Sequence, residues 1–286
     1  MPDAKKSLPP GPALYVVGTP IGNLEDITLR ALRVLEQVDL IACEDTRQTQ
    51  KLLEHYAIRT RTVSYHEHNE ITRAAELMVD LEGGANVAIV TDAGTPGISD
   101  PGYRLISLAV RHKIPVVPIP GPSAFVAALV ASGLPTDSFH FDGFLPAKQG
   151  QRRTALEALR NSHRTTIYYE APHRIEETLA DIVALLGPSR HVVIAREVTK
   201  LHEEFLRGRA AEVLEQVRAN PLKGEITLLI AKPDETEAPR HASVAERVEQ
   251  VMKSETVDEK AALKKVAKEL GLSRSEAYRE WQRGKR

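Results

Sequence analysis

The sequence predicts an α/β protein: two α/β domains followed by a small helical C-terminal module. Short runs rich in Val, Ile and Leu alternate with amphipathic segments along most of the chain. Such βαβ alternation is the mark of a mainly parallel sheet flanked by helices. The alternation stops near residue 231, after which the chain turns polar and proline-containing and then wholly helical in pattern.

The first strands are expected at LYVVG (14–18), DLIACE (39–44), RTVSY (61–65), NVAIVT (86–91) and IPVVPI (114–119). Between them, ITLRALRVLEQ and NEITRAAELMVDLE repeat apolar residues at three- and four-residue spacing, which gives a helix one buried face. DPGYRLISLAVRH (100–112) and GPSAFVAALVAS (121–132) carry Pro101 and Pro122 where a first helical residue needs no backbone donor. Asp26 and Asp100 read as helix caps. A second series of strands is expected at FHFDGFLP (139–146), RTTIYYE (164–170), RHVVIARE (190–197) and GEITLLIA (224–231). PHRIEETLADIVALLG lies among them as a helix with Pro172 at its start and Gly187 at its end. The organisation that follows is a leader over 1–12, α/β domains over 13–120 and 121–231, a linker over 232–243 and a helical module over 244–286.

At 286 residues, with 42% hydrophobic and 27% charged, the chain has the balance of a globular protein and enough length for substantial cores. No apolar run approaches the ~20 residues needed to cross a bilayer. MPDAKKSLPPGP has no apolar segment after its lysines and reads as a flexible leader, not a secretion signal. The single cysteine, Cys43, excludes an internal disulfide and suits a reducing cytoplasm; its apolar strand makes it a buried thiol. Lys and Arg (38) nearly balance Asp and Glu (39), so a nucleic-acid partner has to be held by local basic patches.

TDAGTPGISDPGY (91–103) crowds glycines, prolines and aspartates directly after an apolar run. It has no lysine after its glycines, and neither G-x-x-x-x-G-K-[ST] nor a strand-to-helix G-x-G-x-x-G occurs, which argues against P-loop and dinucleotide sites. GTPIGNLED (18–26), PIPGPSA (118–124) and YYEAPHR (168–174) have the same character. In parallel sheets such strand ends converge on a ligand crevice. His66-x-His68 lacks a third ligand at helical spacing, and no metal is expected.

GTPIGNLEDIT, ACEDTR, SYHEHNE, TDAGTPGISDPGY, PIPGPSAF, SGLPTDSFHFDGFLP, YEAPHR, REVTKLHEE and GEITLLI together resemble, in this order, the hallmark segments of the tetrapyrrole-methylase (class III) superfamily. Within it they are most similar to the group that methylates the ribose 2′-hydroxyl of a decoding-centre cytidine in small-subunit ribosomal RNA. The resemblance covers roughly residues 12–231, and the helical tail is similar to that group's helix-turn-helix-like C-terminal domain. It implies two α/β domains with S-adenosyl-L-methionine in the cleft between them, small-subunit ribosomal RNA as substrate, and a homodimer. By position, the cofactor is expected against Pro20, the Asp92-Ala93-Gly94 turn, Ser123 and Ala124, and Glu170-Ala171. Gly97 and Ala171 stand where the family often has a bulky aliphatic residue and a serine.

Methyl transfer is an in-line displacement, so aligning the ribose oxygen is the main task. A ribose hydroxyl is a poor nucleophile at neutral pH, and a nearby base or strong acceptor assists it. Glu44, Asp45, Glu170 and Lys200 are the candidates taken forward, with Asp100 and Glu197 beside them. Each carboxylate also has an ordinary reading as a cap or an ion pair.

Structured RNA calls for cations near the crevice mouth. Lys148, Arg152, Arg153 and Arg174 form the expected rim. In the tail, a helix ending near Leu270, a turn at Gly271 and a second helix capped by Ser273 have helix-turn-helix spacing. Residues 242–286 hold 11 Lys or Arg against 8 Asp or Glu, an excess of 3 that favours nucleic acid, with Lys265, Arg274 and Arg279 outside the small core. Three readings stand at this point: the RNA ribose methyltransferase, the same fold acting on a small molecule or protein side chain, and a non-catalytic ribosome-assembly factor.

Overall fold

The computed structural model describes residues 8, 11–233, 244–255, 257–269 and 272–284. The chain divides into two compact units, one of residues 1–159 and 164–231, the other of 160–163 and 232–286. Most of the expected leader and linker lies outside the described residues.

In the larger unit the first sheet has five parallel strands in the order β3-β2-β4-β1-β5. They are β1 (Leu14–Val17), β2 (Leu40–Cys43), β3 (Thr62–Ser64), β4 (Val87–Val90) and β5 (Val116–Ile119). The inner strands β1, β2 and β4 read as unbroken apolar runs because both faces are covered, whereas the edge strand β3 is Thr-Val-Ser. Tyr15, Ile41 and Ala88 point to α1 (Leu29–Gln37) and α2 (Thr46–His55). Leu14, Ala42 and Ile89 point to α3 (Glu70–Glu82) and α4 (Tyr103–Arg111).

The second sheet also has five strands, in the order β6-β7-β10-β8-β9, but it is mixed. β6 (Phe139–Phe144) runs parallel to β7 (Thr165–Glu170), while β10 (Ile226–Ile230), β8 (His191–Arg196) and β9 (Glu204–Arg209) pair antiparallel. The expectation of mainly parallel pairing therefore holds for the first sheet alone. β9 was not foreseen from the strand pattern. Its sequence, EFLRGR, has only two apolar residues, because it closes the sheet's edge. α6 (Gln149–Glu157), α7 (Ile175–Leu186) and α8 (Ala210–Ala219) pack on one face around Leu156, Leu179, Val213 and Leu228. α5 (Ala124–Ser132) covers the other face, against Ile167, Val193 and Leu229.

Three prolines sit outside their helices and not at the first helical position. Pro101 precedes Gly102, the cap of α4; Pro122 precedes Ser123, the cap of α5; Pro172 lies three residues ahead of α7. Neither aspartate read as a cap is one, since Thr28 caps α1 and Gly102 caps α4. Gly187 does follow α7, in the left-handed half of backbone space at φ 98°.

In the smaller unit, α9 (Val244–Glu255), α10 (Glu259–Glu269) and α11 (Arg274–Gly284) enclose Val248, Val251, Ala262, Val266 and Trp281. Ser273 caps α11 in a reciprocal box: its hydroxyl accepts from Glu276 N–H at 3.3 Å, and the Glu276 carboxylate accepts from Ser273 N–H at 2.9 Å. Leu270 and Gly271 lie outside the described residues.

Candidate active site

The turns after β1, β4 and β5 are laced together at the C-terminal end of the first sheet. Thr19 N–H donates to Gly94 O at 2.8 Å, Gly94 N–H returns to Thr19 O at 3.2 Å, and the Thr19 hydroxyl donates to Thr91 O at 3.0 Å. Gly94 holds φ 86°, where a side chain would be strained. Gly18 and Gly121 touch backbone to backbone, so a Cβ on Gly18 would lie 2.8 Å from Gly121 Cα. The glycines are therefore required by close approach between turns.

These turns and the edge of the second sheet enclose a cavity of about 330 Å³. Six expected cofactor residues line it: Ala93, Gly94, Ser123, Ala124, Glu170 and Ala171. Two do not. Pro20 is buried behind the first turn, and Asp92 instead accepts from Asp45 N–H at 3.1 Å. Burial raises the Asp92 carboxyl above its ordinary range, the Asp45 N–H opposes this, and the charges of Glu44 and Asp45 reinforce it.

The lining fits S-adenosylmethionine. Ser123 caps α5 without a side-chain hydrogen bond, and Ser123 and Ala124 at the start of that helix line the wall. Ile21, Ile98, Ala195, Val198 and Ile226 add an apolar wall, and Asp100 and Glu225 put carboxyl groups on the same lining. Amide edges suit adenine, apolar surface suits a thioether, and carboxylates tolerate a sulfonium.

A wider polar cleft of about 600 Å³ adjoins this cavity, and the two share Ser99 and Asp100. Ser99 is left-handed at φ 62°, a conformation rare for a residue other than glycine, Asn or Asp. Burial pushes Asp100 up to about 6, the Glu44 charge adds to this, hydrogen bonding with the Thr91 hydroxyl opposes it, and the Asp92 charge adds again. Asp100 is thus a carboxylate poised near neutrality on the wall between two cavities. DPG is a strong local turn signal, but Gly102 caps the helix, and Asp100 is governed by its burial and by Glu44 after β2.

The four residues taken forward as catalytic are used differently. Glu44, which lines the cleft, accepts from the Thr91 hydroxyl at 3.1 Å. Asp45 caps α2 through Arg47 N–H at 2.9 Å and pairs with the Arg47 guanidinium at 2.7 Å; those bonds hold it down at about 2. Glu170 has a fully buried side chain that accepts from Ala171 N–H and the Thr178 hydroxyl, both at 2.7 Å, and from Arg174 at 2.6 Å. It braces the YEAPHR turn, with both oxygens engaged. Lys200 pairs with Glu197 at 2.8 Å and Glu225 at 3.1 Å; burial alone would lower it, but these bonds outweigh burial and raise it. It stays charged and is no proton acceptor.

The basic rim needs two corrections. The Arg174 side chain is only 16% exposed and is held on buried Glu170 at 2.6 Å. Arg152 is 1% exposed, with Nε on Asp181 at 2.9 Å and Nη2 on Glu177 at 3.2 Å. Its charge ties α6 to α7 and is not presented to a ligand. Arg153 pairs with Asp181 at 2.7 Å yet keeps 41% of its side chain exposed, and Lys148 is exposed at the start of α6. Lys265 and Arg279 are exposed on α10 and α11. Arg274 opens α11, and its side chain lies outside the described ones.

The fold, with its parallel sheet joined to a mixed sheet, is similar to that of solved structures. Uroporphyrin-III C-methyltransferase from Thermus thermophilus superposes with a TM-score of 0.55 at 22% identity, covering 77% of this chain and 94% of that one. Diphthine synthase gives 0.60 at 15% identity, over 79% and 92%. Among curated proteins, Ribosomal RNA small subunit methyltransferase I of Halalkalibacterium halodurans is 48% identical over 270 residues, 93% of each chain. The protein of that name from Synechocystis is 45% identical over 267 residues, 93% of this chain and 95% of its own. The family model for tetrapyrrole (corrin/porphyrin) methylases matches residues 13–214, which span the laced turns, the shared wall and the cavity lining up to Val198. With sequence, sheet order and cavity in agreement, the chain belongs to the tetrapyrrole methylase family.

Proposed function

We propose that this protein methylates a ribose 2′-hydroxyl, that of a cytidine, in small-subunit ribosomal RNA. The observation that carries the reading is the wall shared by a cofactor-sized cavity and a wider polar cleft, with Asp100 on it, in a chain 48% identical to a ribosomal RNA small subunit methyltransferase. S-adenosyl-L-methionine supplies the methyl group when bound.

The chain's own residues divide the work. The main chain at Ala93, Gly94 and Ala171, with Ser123 and Ala124 at the start of α5, holds the donor, while Ile21 and Val198 keep water from the cavity. The target nucleotide enters the wider cleft. As the new oxygen–carbon bond forms, its hydroxyl proton passes to the Asp100 carboxylate and from there to water. Burial, and after it the charge of Glu44, keeps Asp100 basic enough to accept that proton. Lys148 and Arg153 meet phosphate on the larger unit, and Lys265 and Arg279 offer separate phosphate contacts on the helical module. Val126 and Val130 on α5 and Phe139, whose ring is 6.5 Å from that of Phe125 on the same helix, are exposed apolar side chains that a second copy in a homodimer would cover.

Mapping 2′-O-methyl groups on small-subunit RNA from cells lacking the protein tests the reading. One ribose methyl is expected to vanish and to return with the wild-type chain. An unchanged map would refute it.

A further inference from the structure

The helical module carries a groove that the reading above leaves unused. Lys260 and Lys264 of α10 and Ser275 and Tyr278 of α11 line a space of about 670 Å³, with Ala261 and Leu263 also on its wall. Tyr278 is 51% exposed although its neighbours Ala277 and Trp281 are buried, so its ring is not needed to fill the core. The acidic groups nearby are already engaged. Asp258, at the groove's end, accepts from Ala261 N–H at 2.8 Å, Glu276 closes the Ser273 cap at 2.9 Å, and Glu280 pairs with Arg283 at 3.1 Å. Lys260 and Lys264 are exposed and pair with no carboxylate among the described residues. Four residues of helix separate them by about 6 Å along the axis.

An exposed aromatic ring beside unpaired cations is the composition of a single-stranded nucleic-acid site: bases stack on the ring whatever their identity, and the cations track the backbone. We infer that this groove binds an unpaired nucleotide of the RNA substrate, its base on Tyr278 and its phosphates on Lys260 and Lys264. The inference rests on the RNA reading above. It gives the module a base and phosphate site in addition to the phosphate contacts of Lys265 and Arg279.

The test uses the full chain, a fluorescent unstructured oligouridine decamer read by anisotropy, and methyl transfer to small ribosomal subunits run in parallel. Tyr278→Ala should weaken decamer binding about tenfold, within the range of one lost base stack. Tyr278→Phe, which keeps the ring, should bind like wild type. Lys260→Gln with Lys264→Gln should flatten the salt dependence of log K by about 1.4, at ~0.7 for each phosphate contact on a single strand. The chain's one tryptophan, Trp281, is 3% exposed in the module core, and its unchanged fluorescence certifies folding in each variant. Binding of Tyr278→Ala within twofold of wild type, equal losses in the Ala and Phe variants, or a change in self-association in place of RNA affinity would each overturn the inference. If wild type methylates subunits while none of these variants alters decamer binding, the groove assignment falls and the RNA reading stands. If decamer binding depends on Tyr278 but no ribosomal RNA is methylated, the groove stands and the RNA reading falls.

Discussion

Replacing Asp100 with Asn should make the protein more stable and nearly inactive. The carboxyl is raised from an ordinary 3.8 to about 6, chiefly by burial and then by the charge of Glu44. Each pKa unit corresponds to about 1.4 kcal/mol, so the ionised form costs about 3 kcal/mol at most, and solvent screening of this part-exposed group leaves about 1–2 kcal/mol. The sign follows from proton binding: between pH 4 and 6 the folded chain holds a proton that the unfolded chain has released. Stability therefore falls as pH rises through that window and stays lower above it. Asn cannot ionise. At pH 8, Asp100→Asn should gain about 1–2 kcal/mol in urea unfolding and about 2–6 °C in Tm; at pH 4 it should gain nothing. Methyl transfer to small subunits should drop by about 10²–10⁴, the usual worth of a general base. The wild-type profile of kcat/KM should rise with a limb near pH 6, and that limb should be absent from the variant. Transfer within threefold of wild type would refute the assignment of the base, and a loss of stability at pH 8 would refute the electrostatic argument.

Two further predictions concern the frame of the site. Gly121→Ala places a Cβ 2.9 Å from the Gly18 backbone, so the turns must part; a loss of at least about 1–3 kcal/mol in urea unfolding and much weaker S-adenosylmethionine binding by calorimetry are expected. Asp181→Asn leaves Arg152 short of its buried counter-charge and should cost about 3–5 kcal/mol, whereas Arg152→Met, tested in the Asp181→Asn background, should restore much of it.

What the sequence made legible is what short-range sterics require. The turns at 18–22, 91–97 and 118–124 are rich in Gly and Pro because backbones must approach one another there, and that requirement is written at the positions concerned. The inner strands β1, β2 and β4 are apolar runs for a second reason: both faces of the sheet are covered. β9 escaped notice because an edge strand needs few apolar residues, and EFLRGR is pinned by pairing with β8 across a loop. The immediate neighbours of Asp100 spell a turn, while its character comes first from burial and then from the charge of Glu44, 56 residues earlier. Arg152 stood in a basic run, KQGQRR, and only the approach of α7 decides which of those arginines is buried. Local rules supplied the scaffold; long-range proximity chose which charges do chemistry.

The backbone strain around the cavity follows the same division. Ser99 at φ 62° stands on one side, and Glu197 and Thr199, at 50° and 71°, flank Val198 on the other. Such conformations cost about 1–3 kcal/mol each and persist only where their surroundings hold them. Lys200 supplies that hold on the second side. Its ammonium pairs with Glu197 and Glu225, and its side chain lies over Gly22 so closely that a Cβ there would collide with Lys200 Cγ. The turn after β1 is thus clamped to the strained loop after β8, with Val198 held against the cavity. A lysine that looks from sequence like a candidate base acts through position, and its charge is spent on keeping the wall of the site in place.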